Sequence, residues 1–220
     1  MHISCKGINI RERTEFLGEV ALRVIRSRNL WVRSAGMCLL GMAILFLTWT
    51  LSYRALPEGA VQGKLGVYYV PIKTEDAATT FIRIFLWNLL VGCIPIIAAN
   101  FLQIKGFPIG YILALYHWAM YGILLGTNSF IIPGPGRFLP SLTTLFYGSG
   151  IYEITAYTLI SSATYNLHVY DEGSFSKQKI LGKRKWSELK LSKAELGLII
   201  FAILILAIAN YFEAWNIFHR

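Results

Sequence analysis

Two glutamates lie inside long apolar runs, where a charged side chain is costly. Glu153 belongs to the run 145–167, and Glu213 belongs to the run 196–218. An ionised carboxylate costs several kcal/mol in the hydrocarbon core of a bilayer, so such acids are normally buried against protein. Carboxyl groups in that setting bind protons, line a path for ions or substrates, or hydrogen-bond to neighbouring helices. The two acids are therefore the first candidates for a functional site.

Three asparagines in apolar runs, Asn88, Asn128 and Asn210, extend this set. If each run is a membrane-spanning helix that rises about 1.5 Å per residue, all five polar residues fall in the outer half of the membrane. Asn210 and Glu213 are three residues apart and share one helix face. Two interpretations stay open. The residues form a polar pocket or proton-linked site open to the outer side, or they join helices through hydrogen bonds of about 0.6–2 kcal/mol each.

The sequence shows no motif for enzymatic chemistry. Hydrolase, zinc-protease and nucleotide-binding patterns are absent. Cys5, Cys38 and Cys93 lack the spacing of metal ligands. His117 has no second ligand at i+3 or i+4, so we expect a hydrogen-bonded structural role for it. We therefore expect no enzymatic activity, no cofactor and no metal site.

The elements that hold these residues are predicted to be membrane-spanning helices. Hydrophobic residues make up 55% of the 220-residue chain, a fraction typical of an all-α protein that crosses the membrane several times. Pro95 is expected to kink the second span, because proline removes an intrahelical hydrogen bond. The five predicted spans form a transmembrane domain over 32–220, with spans at 32–53, 82–103, 109–132, 145–167 and 196–218.

Charge predicts the orientation of the spans. The net charge of +9 arises from basic residues that flank apolar runs, a pattern that indicates membrane flanks rather than a nucleic-acid partner. With the N-terminus inside, fifteen of the 21 basic residues are cytoplasmic and five are external, and Arg83 lies at a boundary. We therefore expect a multi-pass protein of the cell membrane, with its C-terminus and the loop 54–80 outside. Residues 1–31 are predicted to form a cytoplasmic amphipathic helix on the membrane surface.

The predicted cytoplasmic loop 168–195 contains the cluster Lys183, Arg184 and Lys185. Basic residues beside a membrane attract anionic lipid headgroups, so we expect this loop to dock on lipid or on an acidic partner surface. The helices themselves carry small residues that permit close packing. These residues are Gly106, Gly110, Gly122, Gly126 and Ala156.

Four motifs occur in a fixed order over residues 80–215. They are IFLWNLLVG around Asn88, the turn GFPIG that ends at Gly110, GIYEITA around Glu153, and AIANYFEAW around Glu213. Together they resemble the stage II sporulation protein M family of integral membrane proteins. The family pattern has a second asparagine where Leu89 stands.

Two further positions depart from the family pattern, which has asparagine at Lys105 and histidine at Ser149. The positions carried over by motif match are Asn88, Gly110, Glu153, Ala156 and Glu213. The resemblance implies a non-enzymatic membrane component that works with other subunits or with further copies of itself. It equally allows a permease-like subunit, so two functions remain open: a scaffold or accessory subunit of a membrane complex, and a component of a transporter with an intramembrane acidic site.

Overall fold

The computed structural model of the chain is a bundle of helices with a small sheet at one end. It describes residues 10–64, 76–104, 106–130, 136–172, 180–183 and 185–219. The helices are α1 (Ile10–Ile25), α2 (Leu30–Ala55), α3 (Ala77–Trp87), α4 (Ile94–Ala99), α5 (Ile109–Thr127), α6 (Leu142–Tyr147), α7 (Gly150–Ala163) and α8 (Lys193–Phe218). The strands are β1 (Leu102–Ile104), β2 (Phe107–Pro108), β3 (Tyr170–Glu172) and β4 (Ile180–Lys183). A π-helical turn, Asn88–Cys93, joins α3 to α4, and short 3-10 turns occupy Tyr165–Leu167 and Trp186–Glu188.

Four of the described helical segments are long and apolar enough to cross a membrane: Leu30–Ala55, Ala77–Ala99, Ile109–Thr127 and Lys193–Ile217. Large apolar side chains point away from the bundle along these helices. Leu39, for example, is 73% exposed. An apolar surface of this kind is stable in lipid and unfavourable in water. The chain thus has the coarse features of an all-α membrane protein.

The predicted span 145–167 is not one continuous helix, so it is not among the four long apolar helices. The chain leaves the helical conformation at Gly148 and begins α7 at Gly150. The 14 residues of α7 cover about 21 Å at 1.5 Å per residue, less than the roughly 30 Å of a hydrocarbon core. Tyr147, directly before the break, is 92% exposed.

The small sheet was not expected either. Residues 102 and 103, predicted to end the second span, belong to the strand β1 instead. This strand pairs antiparallel with β2 and parallel with β3, and β3 pairs with β4. The β1–β2 turn contains Gly106 at a φ of +71°, a conformation that glycine adopts without steric cost. Gly106 thus serves the turn, and no atom lies within 4 Å of where its Cβ would be, so its predicted packing role is corrected.

Helix starts are set by local capping. Asp76 precedes α3, and its Oδ1 accepts a hydrogen bond from the Thr79 amide at 2.7 Å. The Thr79 amide and hydroxyl hold the pKa of Asp76 below its usual value. At the start of α8, Ser192 and Glu195 form a reciprocal capping box. Within the segment 1–31, residues 10–25 are helical as α1, and residues 1–9 lie outside the described part of the chain.

Contacts between loops define the two ends of the bundle. At one end, the sheet lies beside the segment that leads into α8. At the other end, the Gly59 amide donates to the Thr127 carbonyl at 2.7 Å, and Trp49 Nε1 donates to the Phe138 carbonyl at 2.8 Å. The Arg137 guanidinium at this end donates to main-chain carbonyls that end both α2 and α5. Residues 54–64 and 136–141 therefore belong to the end opposite the sheet.

Close packing of α2 on α5 depends on glycine. A Cβ at Gly122 would meet Thr48 Oγ1 and the Leu45 carbonyl, and a Cβ at Gly126 would meet Ser52 Oγ and the Trp49 carbonyl. Gly110 makes a similar approach to Asn100 and Ile96, which brings α5 against α4. Ala156 on α7 is fully buried in the main hydrophobic core.

We predict that Gly126→Ala destabilises the protein, because the added methyl group meets main-chain atoms that cannot move aside. Overpacking of this type costs about 1–3 kcal/mol. The matched control is Gly197→Ala on α8, where no atom lies within 4 Å of the new Cβ. Thermal unfolding in detergent should show a lower Tm for Gly126→Ala and an unchanged or higher Tm for Gly197→Ala. Equal Tm values for the two variants would contradict the close α2–α5 contact.

Candidate functional site at the carboxyl pair of α7 and α8

The two intramembrane glutamates are in contact. Glu153 lies in the first turn of α7 and Glu213 lies near the end of α8, and their carboxyl groups lie within hydrogen-bonding reach of one another. The Oε1 atom of Glu153 is buried and has no hydrogen-bond partner among the described residues. The structure thus joins, at one position between two helices, residues that are 60 positions apart in the sequence.

A hydrogen bond between two carboxyl groups requires at least one proton. Ionised carboxylates only accept hydrogen bonds, so two of them repel one another at this range, and the repulsion is strong in an apolar medium. The ion pairs found between described residues join Arg23 to Glu19 and Arg33 to Glu195 and include neither glutamate of the pair. The contact between Glu153 and Glu213 is therefore a contact between a carboxylic acid and a second carboxyl group.

A pair of asparagines adjoins the acids. Asn88 Nδ2 donates to Asn210 Oδ1 at 2.9 Å, which connects α3 to α8. Asn210 is completely buried, and its own Nδ2 has no partner among the described residues. Because Asn210 lies one turn before Glu213, the asparagine pair and the acid pair are neighbours on α8.

Asn128, which the sequence grouped with these residues, lies elsewhere. It caps the C-terminal end of α5 with a left-handed φ of 49°. Its Nδ2 donates to Glu58 Oε1 at 2.7 Å. This contact fixes the loop that follows α2. Four of the five predicted polar residues are therefore grouped along α8, and the fifth stabilises the end of the bundle.

The main chain is irregular on two sides of this site. The π-helical turn begins at Asn88 and ends at Cys93, two residues before Pro95, which has no amide hydrogen to continue the regular pattern. Cys93 and Tyr121 are both close enough to Glu153 for electrostatic interaction. On the other side, the Tyr121 ring fills the space where a Cβ of Gly150 would lie, so Tyr121 packs on the break between α6 and α7. π-Helical turns occur frequently at functional sites.

Family models, curated proteins and solved structures show no match to this chain. The site is accordingly interpreted from its own geometry.

Tyr121 and Tyr157 are members of the site that sequence reasoning missed. Tyr157 packs on the π-helical turn, where its ring and hydroxyl occupy the space beside Gly92. It also stands edge-on to His117, with ring centroids 4.9 Å apart. The sequence offered only a weak signal for these two tyrosines. Glycines at positions 92, 148 and 150 leave room for a large ring on a facing helix.

A second buried polar cluster lies at the sheet end of the bundle. Arg33 is 1% exposed, and its guanidinium donates to Glu195 Oε1 at 2.6 Å and to the Ser162 carbonyl at 3.0 Å. Asn166 Nδ2 donates to the same Glu195 oxygen at 2.6 Å. The ion pair connects α2, α7 and α8. In the sequence, Arg33 was interpreted only as one of the charges flanking the first span.

The remaining residues predicted from the sequence are His117 and the basic cluster at 183–185. His117 Nδ1 lies 2.7 Å from the Leu113 carbonyl, and no group of three metal-ligating side chains occurs in the described ranges. Lys183 ends β4, and Lys185 is exposed immediately after it. Arg184 falls outside the described residues.

We predict that Glu153→Gln folds and that Glu153→Leu is destabilised. Glutamine keeps the shape of the side chain and a hydrogen-bond donor for Glu213. Leucine leaves the Glu213 carboxyl group buried without its partner, which costs about 1–3 kcal/mol. Thermal unfolding in detergent checks this order of stability. Equal destabilisation by Gln and Leu would show that the contact between the two acids does not stabilise the helices.

Proposed function

We propose that this chain is a non-enzymatic scaffold or accessory subunit of a larger complex in the cell membrane. The observation that carries the proposal is the pairing of intramembrane polar groups with one another. Asn88 bonds Asn210, Glu153 bonds Glu213, and Arg33 bonds Glu195. These contacts connect α2, α3 and α7 to α8. Polar groups used in this way hold helices in one arrangement, which is what a subunit needs in order to present fixed surfaces to its partners.

The apolar exterior supports the same function. The outward faces of α2, the π-helical turn and α8 carry large side chains that contact lipid or other membrane helices, such as Leu47, Leu90 and Ile208, each between 57% and 60% exposed. The motif resemblance to the stage II sporulation protein M family points to the same class of protein, a membrane component that works with further subunits or with copies of itself.

A transporter subunit is the second proposal, and one specific observation favours it. The contact between Glu153 and Glu213 holds a proton between two helices, beside the π-helical turn and the α6–α7 break. Transporters bind substrates and coupling ions at discontinuous helices within the membrane. A purely structural role would explain the contact between the two acids. The π-helical turn and the α6–α7 break beside that contact favour transport.

The proposed topology places the sheet end of the bundle in the cytoplasm. In this arrangement the N-terminus and the basic segment before α8 are inside, and the loops 54–64 and 136–141 are outside. The excess of basic residues at the sheet end supports this orientation through the positive-inside rule. Gln62, in the loop after α2, and Ser187, in the segment before α8, are both exposed and suitable for labelling.

We expect Gln62→Cys and Ser187→Cys to be labelled from opposite sides of the membrane. The experiment uses a background without Cys5, Cys38 and Cys93, and a membrane-impermeant maleimide applied to intact cells and to inverted vesicles. Gln62→Cys should react in intact cells, and Ser187→Cys should react only in inverted vesicles. Labelling of both positions from one side would exclude the proposed topology.

The scaffold function predicts a stable complex. Purification of the full chain from its native membrane in mild detergent should recover another membrane protein, or a second copy of the chain, in stoichiometric amount. Neutralising the basic cluster, by changing Lys183, Arg184 and Lys185 to Gln, should reduce that recovery most strongly at low salt. Each basic residue near an anionic surface contributes about 1 kcal/mol, and salt screens the attraction.

The control changes two exposed basic residues at the opposite end, Arg54 and Lys64, to Gln. It should leave recovery unchanged. Recovery of the chain as a lone monomer from native membranes would contradict the scaffold function. Equal recovery of the triple variant and the control at every salt concentration would show that the basic cluster is not a docking surface.

A further inference from the structure

We propose that Glu153 and Glu213 form a proton-binding site whose proton exchanges with water at the end of the bundle where α6 and α7 separate. This inference deepens the transporter proposal and does not depend on the scaffold function. In the exchange step the proton leaves a carboxylic acid for a water molecule, which yields a carboxylate and a hydronium ion. The reverse step restores the acid.

The first support is the contact itself. Because one carboxyl group must donate a hydrogen bond to the other, the pair binds at least one proton. Glu195, by contrast, meets Arg33 at 2.6 Å and is satisfied as a carboxylate. Only at Glu153 and Glu213, among the described residues, do two acids face one another.

The second support is unused hydrogen-bonding capacity beside the acids. Asn210 is fully buried, its Oδ1 is used by Asn88, and its Nδ2 has no protein partner. Glu153 Oε1 is also buried without a partner. Because a buried polar atom without a hydrogen bond is costly, atoms of this kind provide the groups that a water molecule needs to deliver or remove a proton.

The third support is a route. Glu153 is one helical turn from Ser149, where the chain passes from α6 to α7. Non-helical backbone at membrane depth is tolerated where it is buried in protein or lines a water-filled cavity. Tyr121 packs on this break and lies close to both acids. Its hydroxyl lies beside Gly148 and Gly150 at the break, and a phenol both donates and accepts hydrogen bonds.

The titratable groups around the pair come from every helix packed against it. The π-helical turn contributes Cys93. His117 lies one turn from Tyr121 on α5 and contacts α7 through Tyr157. On α2 the buried charge is Arg33, which is hydrogen-bonded to the far end of α7. The exposed Arg83 lies on α3, about one turn before Asn88.

The test is labelling by dicyclohexylcarbodiimide, an apolar reagent that adds to protonated carboxyl groups in membranes. The full-length purified protein is treated across a pH series and analysed by peptide mass mapping. We expect an adduct on Glu153 or Glu213, with labelling that falls by about tenfold for each pH unit above the titration midpoint of the pair. Glu195 is the internal control: it is held as a carboxylate by Arg33 and should remain unlabelled.

Two variants complete the design. Glu153→Gln and Glu213→Gln each remove one member of the pair, and size-exclusion chromatography verifies that each still folds. In a folded variant, the pH dependence of labelling at the remaining glutamate should shift, because the proton is no longer shared. Labelling of neither acid, labelling independent of pH, or labelling of Glu195 to the same extent would overturn the proton-binding site. Loss of partner recovery in the detergent experiment, with labelling intact, would overturn only the scaffold function.

Discussion

The bundle depends on one constraint: a polar side chain within an apolar environment must find its partner inside the protein. Three of the pairs that meet this constraint include a residue of α8. Glu195 binds Arg33 at one end of the helix, and Asn210 and Glu213 bind Asn88 and Glu153 towards the other. A helix anchored at both ends cannot slide or rotate without separating these pairs. Because the energy of each contact is larger when water is excluded, α8 fixes the positions of α2, α3 and α7.

A different kind of contact joins α2 to α5. There the main chains approach one another across Gly122 and Gly126, and the stabilisation comes from dispersion between closely packed atoms. The polar pairs and the glycine contacts therefore divide the bundle into two regions. The glycine region is closely packed, whereas the region around α8 contains the Glu153–Glu213 pair and the Arg33–Glu195 ion pair. The glycine contacts between α2 and α5 and the polar pairs of α8 are therefore located in different parts of the bundle.

Much of this arrangement could be predicted from the sequence. The hydropathy pattern located four long helices, and the cost of burying a carboxylate singled out Glu153 and Glu213. The break at Gly148 could not be predicted, because hydropathy averages over a window and continues through a short non-helical segment. The role of Arg33 was missed because its partner, Glu195, is 162 positions away. Asn128 was grouped with the wrong residues because helical depth says nothing about which neighbour a side chain faces. The small sheet escaped notice since its strands are two to four residues long and pair across distant segments.

The ion pair between Arg33 and Glu195 has a consequence for the order of biosynthesis. Arg33 is among the first residues of the bundle to leave the ribosome, and its carboxylate partner belongs to the last helix. Asn88 and Glu153 likewise precede their partners on α8. Until that helix is inserted, three earlier helices carry buried polar groups that lack their final contacts. The nascent bundle should therefore remain loosely associated and accessible to insertion factors or quality-control proteases for most of its synthesis, and it should close cooperatively only when the last helix arrives.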